Sequence, residues 1–246
     1  VSGAGAPWRL SVHDELASTQ DLVLAAAAAG EPEGLAVLAR RQVAGRGTQD
    51  RLWRSGAGNL ALSLLWRPGG SAQALPRWSL LAAVALADAV AAELPPGTPL
   101  TLKWPNDLLL DGAKCAGILT DAASDGDGTL EWLVLGIGVN LAHAPELPDR
   151  RTASLAAFIA HPPEAALFAQ ALLRRLSAWR GRLEREGFAC VHEAWLARGP
   201  KVGTELSLFQ GGTPWHGIFM GLAEDGRLLL RIGDRDRAFM SGEVAG

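Results

Sequence analysis

The pattern of apolar and polar positions divides the chain into strands and helices before any chemistry is considered. Residues 9–13 alternate, as a half-buried strand does, and Ser18 or Thr19 then caps an alanine-rich helix ending at Gly30. Residues 35–39 and 59–66 read as apolar strands. The stretch between them, 41–53, is too polar and too rich in glycine to be a strand, so it predicts a loop. A long helix over 74–93 has a broad apolar face and is closed by Pro95, Pro96 and Gly97. Strands follow at 101–104, 108–110 and 114–120, with a hairpin turn at Asp111-Gly112. After a turn at 124–128, the apolar strand 130–135 runs on into Gly136-Ile137-Gly138-Val139-Asn140 and is expected at the centre of the sheet.

Consecutive hairpins predict a largely antiparallel or mixed sheet with helices on one side, an α+β fold and not a doubly wound parallel one. Past Pro145 and Pro148, helices are expected at 155–159, 164–186 and 188–197; Phe168, Leu172, Leu176, Trp179 and Leu183 share one face of the second. Gly199-Pro200 breaks the pattern. Short strands at 202–209, 213–222, 227–232 and 236–243 then predict a small β-barrel. The expected division is a main domain over 1–200 and a C-terminal domain over 201–246.

Composition narrows the function classes. A net charge of -3 over 246 residues argues against a dedicated nucleic-acid binder. Residues 1–8 lack the regions of a signal peptide, and the nearest approach to a membrane span, 80–92, falls short of the roughly 18 residues needed and contains Asp88. Cys115 and Cys190 form neither a disulfide framework nor a metal spacing. A cytoplasmic protein with no membrane partner is expected. His13, His143, His161, His192 and His216 are scattered without ligand spacing. Of the 23 basic residues only Lys103, Lys114 and Lys201 are lysines, and Asn59, Asn106 and Asn140 are the only asparagines. A chain so biased to arginine keeps lysine where a compact point charge serves better than a planar fork.

The candidate chemistry starts in the 41–53 loop. Gly45 and Gly47 provide backbone freedom and exposed N–H groups, Arg46 and Arg51 positive forks, and Trp53 a flat apolar wall, an inventory suited to a phosphate-bearing ligand. The ordered set is longer: Ser18-Thr19-Gln20, Gly45-Arg46-Gly47 with Arg51 and Trp53, Lys103-Trp104-Pro105-Asn106-Asp107, Lys114-Cys115-Ala116-Gly117-Ile118-Leu119, and Gly136-Ile137-Gly138-Val139-Asn140. From about residue 9 to Gly242-Glu243-Val244 this set resembles the biotin protein ligases, most specifically in the Lys-Trp-Pro-Asn-Asp block followed by Lys-x-x-Gly-Ile-Leu.

The resemblance implies a catalytic domain related to class II tRNA synthetases and lipoate ligases, with an SH3-like C-terminal barrel. It implies joining of the biotin carboxylate to the α-phosphate of ATP, with magnesium, and transfer of biotin to a lysine of a biotin carboxyl carrier domain. Two anions must meet in such a reaction, so positive charge has to be in place beforehand. By resemblance Lys114 is the main electrostatic stabiliser, with Arg46 beside it. Ser18, Thr19 and Gln42 match ureido contacts, and Gly45, Arg46 and Gly117 line the chain and carboxylate end of biotin. Arg51, Trp53, Lys103, Asn106 and Asn140 fall to ATP or the adenylate, Asn140 facing adenine. Asp107 is either a magnesium ligand or an Asx cap of its turn, and Ser18 and Thr19 can both cap a helix and bind.

Two departures stand out. The family loop reads Gly-Arg-Gly-Arg-x-Gly-Arg, whereas here Thr48 replaces the second arginine and Asp50 the third glycine. A lost cation and an added carboxylate weaken the hold on an anionic adenylate unless Arg51 or Arg54 compensates. The chain also starts almost directly at the first catalytic strand, so the resemblance is to the monofunctional ligases, with no DNA-binding part expected; a homodimer is left open. The alternatives are a lipoate or octanoate transferase of the same fold and a non-catalytic biotin or adenylate sensor.

Overall fold

The computed structural model describes residues 7–48 and 51–245. A seven-stranded sheet carries the main body in the order β1-β2-β3-β7-β6-β5-β4. Its strands are β1 (Arg9–Leu16), β2 (Leu35–Gln42), β3 (Leu60–Trp66), β4 (Leu100–Lys103), β5 (Asp107–Leu110), β6 (Ala113–Ser124) and β7 (Leu130–Val139). The strand expected at the centre is central. Six neighbouring pairs make the sheet: β1 and β2 run parallel and the rest antiparallel, so the sheet is mixed. The parallel pair is possible because α1 (Thr19–Ala28) crosses between its strands.

The expectation of helices on one side is corrected. The strand pleat sends alternate residues of β3 to opposite faces: Leu60, Leu62, Leu64 and Trp66 join the large core, while Leu65 meets Val23 and Ala27 of α1 with Val37 and Val134. The large core lies under α2 (Leu75–Ala91), α3 (Ala165–Glu186) and α4 (Ala189–Leu196). Both faces are therefore covered, but α1 is only 10 residues long and leaves part of its face open.

With its lead-in turn the second helix spans Ala72–Ala91, 20 residues that by length and composition could cross a membrane. That is longer than the apolar run read from the sequence. Its buried side chains, from Leu80 to Val90, are spent on the sheet and on α3 and α4, and Asp88 is met by Trp179 Nε1 and Arg198 at 2.7 Å each. Pairing the lone acid removes the penalty for burying it among apolar neighbours.

The C-terminal sheet has the order β11-β10-β9-β8-β12 and is antiparallel throughout. Its strands are β8 (Glu205–Gln210), β9 (Thr213–Leu222), β10 (Leu228–Ile232), β11 (Arg235–Phe239) and β12 (Glu243–Val244). The single strand expected over 236–243 is two strands. Gly242 turns between them at φ 149°, where a Cβ would lie 2.9 Å from the Phe209 carbonyl oxygen, so the chain can cross to β8 only without a side chain. The apolar core continues from Trp195 into Leu208, Phe219, Leu230 and Phe239.

Candidate active site

The candidate site occupies the sheet face that α1 leaves open. Its floor is made of small residues brought side by side by strand register: Gly138 pairs with Ala61 on one side and Gly117 on the other, and Gly136 pairs with Ser63 and Leu119. These glycines are required by what lies above them. A Cβ on Gly138 would come within 2.6 Å of Trp53 Cζ2, and one on Gly136 within 2.5 Å of Gln20 Oε1.

The 41–53 stretch leaves β2 and turns back on itself. Arg46 and Leu52 form an antiparallel bridge, Gly47 N–H donates to Arg51 O at 2.7 Å, and Trp53 N–H to Gly45 O at 2.9 Å. This brings the Trp53 indole over Gly117 and Gly138, with its Nε1–H buried and without an acceptor. Arg46 reaches the rim, held by Asp21 at 3.0 Å and 3.7 Å from Asp121. Arg51 is clamped by both oxygens of Glu243, at 3.1 and 2.7 Å. Thr48 lines the site; Asp50 lies outside the described residues.

Beneath the indole is a narrow slot of about 50 Å³ with an apolar floor and polar groups at Ser18, Thr19, Gln42 and Ser63. Ser18 is the N-cap of α1, its Oγ accepting from Asp21 N–H at 3.3 Å, and it also lines the slot, so capping and lining coexist. Gln42 Oε1 accepts from Thr19 N–H at 2.8 Å and meets Thr19 Oγ1 at 3.0 Å. Ser18, Thr19, Gln20 and Ser63 are all buried polar residues, and each is hydrogen-bonded.

Two of the further cavities beside the slot are also bordered by Lys114. One, of about 310 Å³, is lined by Trp53, Arg54, Asn140, Pro145 and Arg150 among others. Asn140 donates through Nδ2 to Ala153 O at 3.1 Å, which leaves its buried Oδ1 without a partner. The other, of about 170 Å³, contains four cations (Arg51, Lys103, Lys114, Arg150) against two carboxylates (Asp107, Glu243). That surplus suits a polyanion. Burial pulls the Lys103 ammonium below its usual range, with Asp107 and Glu243 pulling the other way. The hydrogen bonds from Arg51 hold the Glu243 carboxyl below its usual range, against the opposing effect of burial.

Lys114 borders the slot and both cavities. Its ammonium lies 2.5 Å from Asp107 Oδ1 and 5.8 Å from the Trp53 ring centre. Asp107, expected as a metal ligand or a cap, makes an ion pair with Lys114, and its buried Oδ1 makes no directed hydrogen bond. Among the described residues no three His, Cys, Asp or Glu side chains gather as a metal cage. Asn106 ties its turn to β6, donating to Ile118 O at 2.6 Å and accepting from Ile118 N–H at 3.0 Å, and borders two of the three spaces.

The family model described as the biotin/lipoate A/B protein ligase family matches residues 15–140. A biotin–[acetyl-CoA-carboxylase] ligase of Paracoccus denitrificans is 40% identical over 200 residues, 79% of this chain and 83% of that protein. The chain belongs to the biotin/lipoate A/B protein ligase family. The Mycobacterium tuberculosis biotin–[acetyl-CoA-carboxylase] ligase is 35% identical over 98% of this chain and 91% of its own length. Among solved structures, the Aquifex aeolicus biotin protein ligase in complex with biotin and ATP has a TM-score of 0.79 at 25% identity, covering 96% of this chain and 97% of that one.

Every described residue expected at the site lines one of these three spaces except Gly45, which with Gln42 and Trp53 lines a neighbouring cavity of about 530 Å³. Sequence reading missed Ser63, Asp121 and Arg150, and gave Gln20 and Glu243 no role. Ser63 and Asp121 sit in strands and carry no motif. Arg150 and Glu243 lie beyond the stretch matched by the family model, and the only available signal was the Gly-Glu pair at 242–243.

Proposed function

We propose that this family member is an ATP-dependent biotin protein ligase, forming biotinyl-5'-adenylate and transferring biotin to a lysine of a biotin carboxyl carrier domain. The observation that carries the reading is the position of Lys114, the one ammonium bordering the slot, a larger cavity and a cation-rich cavity. In this assignment the slot takes biotin, with Ser18, Thr19 and Gln42 on the ureido ring and Gly117 and Arg46 toward the carboxylate. The cavity around Asn140 and Trp53 takes the adenosine, and the space with Lys103, Arg51 and Arg150 takes the phosphates, Asn106 holding the turn between them. The slot is smaller than a bicyclic ring, so Trp53 has to rise from Gly138 to admit one.

The biotin carboxylate attacks the α-phosphorus, the bond from that phosphorus to the bridging oxygen breaks, and pyrophosphate leaves. Lys114 can then neutralise both the attacking carboxylate and the charge developing on the α-phosphate oxygens, a contribution of order 10²–10³ in rate for one such group. The acceptor lysine, as a free amine, attacks the carbonyl of the mixed anhydride; AMP leaves, an amide forms and one proton is released. Magnesium fits as a companion of the triphosphate, with Asp107 and Glu243 as the carboxylates of that cavity, because that ion prefers one or two carboxylates plus phosphates to a protein cage. Residues 1–200 and 201–246 form the catalytic and SH3-like domains in this reading.

The related chemistry on lipoate is disfavoured by the slot, whose hydroxyl and amide groups match a cyclic urea and have no partner on a dithiolane. Biotin-dependent exchange of labelled pyrophosphate into ATP tests the first half-reaction. Exchange that requires biotin supports the assignment, and exchange driven by lipoate in place of biotin overturns it.

A further inference from the structure

Five side chains run in one hydrogen-bonded chain from β6 to the slot: Asp121, Gln20, Ser63, Thr19 and Gln42. Gln20 Nε2 donates to Asp121 Oδ2 at 2.9 Å and more loosely to Val134 O at 3.4 Å, so its Oε1 faces Ser63 Oγ at 3.0 Å as an acceptor. At the other end, Gln42 Oε1 receives the Thr19 backbone N–H at 2.8 Å, so it too is an acceptor. Between these ends lie two hydroxyls, Thr19 and Ser63, 2.8 Å apart, with Thr19 Oγ1 3.0 Å from Gln42 Oε1. Three oxygen–oxygen contacts thus share two protons. Ser63 donates to Gln20, because donating to Thr19 instead would leave the buried Gln20 Oε1 unmet, and Thr19 donates either to Ser63 or to Gln42. In both arrangements every hydroxyl proton is spent inside the chain, and Thr19 Oγ1 presents only lone pairs to the slot.

We propose that Asp121 is a positioning residue that sets this proton direction through Gln20, making the deep end of the slot selective for a ligand ring that carries N–H donors. A cyclic urea satisfies it; an acceptor-only ring of the same shape does not. The inference rests on reading the slot as the biotin site. Asp121 can act this way because an ionised carboxylate only accepts. Without it, only the looser 3.4 Å contact to Val134 O holds the Gln20 amide, which can then rotate and turn Nε2 toward Ser63. Ser63 then donates to Thr19, and Thr19 to Gln42. Three protons fill three contacts, and half the acceptor capacity of Thr19 is used up internally.

The test is titration calorimetry of the whole chain with biotin and with the isosteric analogue whose ureido ring is a cyclic carbonate, by competition where binding is weak. Asp121 also lies 3.7 Å from Arg46, so absolute affinity alone would not be diagnostic; the ratio of the two affinities is. Asp121→Ala should lower the biotin-to-carbonate ratio about fivefold, the size of one net hydrogen bond. Gln20→Met, which removes the relay at similar volume, should do the same if Asp121→Ala fails to fold. Asp121→Asn, whose Oδ1 can still accept from Gln20, should keep the ratio within about twofold of wild type, with KM for biotin rising in the alanine variant and kcat at saturation nearly unchanged. Weaker binding of both ligands at an unchanged ratio in Asp121→Ala and Gln20→Met overturns the proposal. A wild-type chain that binds no biotin overturns the functional reading, and this inference with it.

Discussion

Adding one methyl group at Gly138 should loosen the 41–53 loop far more than the same change at Gly117. Both glycines lie under the Trp53 indole, in adjacent strands and paired with each other. An alanine Cβ at Gly138 would lie 2.6 Å from Cζ2 and nearer still to Cε2. Carbon atoms pack at about 3.5–4.0 Å, so the ring must lift by roughly 1 Å. At Gly117 the nearest ring atom would be 3.3 Å away and Lys114 Nζ 3.4 Å, which a few tenths of an ångström relieve. Overpacking of the first kind costs about 1–3 kcal/mol. The strain falls on the loop, whose ladder includes the Trp53 N–H to Gly45 O bond of 2.9 Å. Hydrogen exchange of the ligand-free protein reads this directly: protection of the Trp53 and Gly47 amides should drop roughly five- to hundredfold in Gly138→Ala and less than fivefold in Gly117→Ala. Neither glycine has a positive φ, so a backbone effect does not confuse the comparison. Equal protection in Gly138→Ala and wild type would refute the packing of Trp53 on this floor.

Replacing Lys114 by methionine should reduce kcat on the order of a hundredfold or more in the pyrophosphate-exchange assay, and arginine should not restore it, because a planar fork cannot replace a point charge facing Asp107 at 2.5 Å. The hydrogen bonds from Arg51 lower the Glu243 pKa from 4.5, so their stabilisation is present above that value and lost as pH falls through the lowered one. Differential scanning calorimetry should therefore find Glu243→Gln slightly less stable than wild type at pH 7, by a degree or two for so exposed a pair, with the gap closing in acid. Thr48→Arg restores a cation at the rim of all three spaces, so it should reduce biotinylation of bystander proteins by escaped adenylate, read by mass spectrometry; equal bystander labelling in the two proteins would show that Thr48 does not govern retention.

Much of the fold could be read from periodicity, because β1 alternates and β3 and β7 are apolar runs that stop just before Arg67-Pro68 and at Asn140. The two-sided cover could not be read that way. Leu64, Leu65 and Trp66 are apolar in succession, and a continuous run conceals which face meets which helix. The site was legible where residues share a short motif, as Lys103 to Asp107 do. It was not legible where function depends on a partner far along the chain: Arg51 and Glu243 are 192 positions apart, and Gln20 and Asp121 are 101 apart. Nor does sequence reveal pairing states: Arg46 was read as facing biotin and Asp107 as a magnesium ligand or an Asx cap, and neither reading carried the ion pairs they make with Asp21 and Lys114.

Lys114 is proposed to join a biotin slot to a nucleotide site and so to support transfer. Incubating the chain with ATP, magnesium, isotope-labelled biotin and a biotin carboxyl carrier domain, then locating the label by peptide mass spectrometry, tests it most directly. Label on the carrier lysine, one AMP released per biotin transferred, and loss of both with Lys114→Met are expected. Biotin bound without transfer, or transfer of lipoate but not biotin, would contradict it.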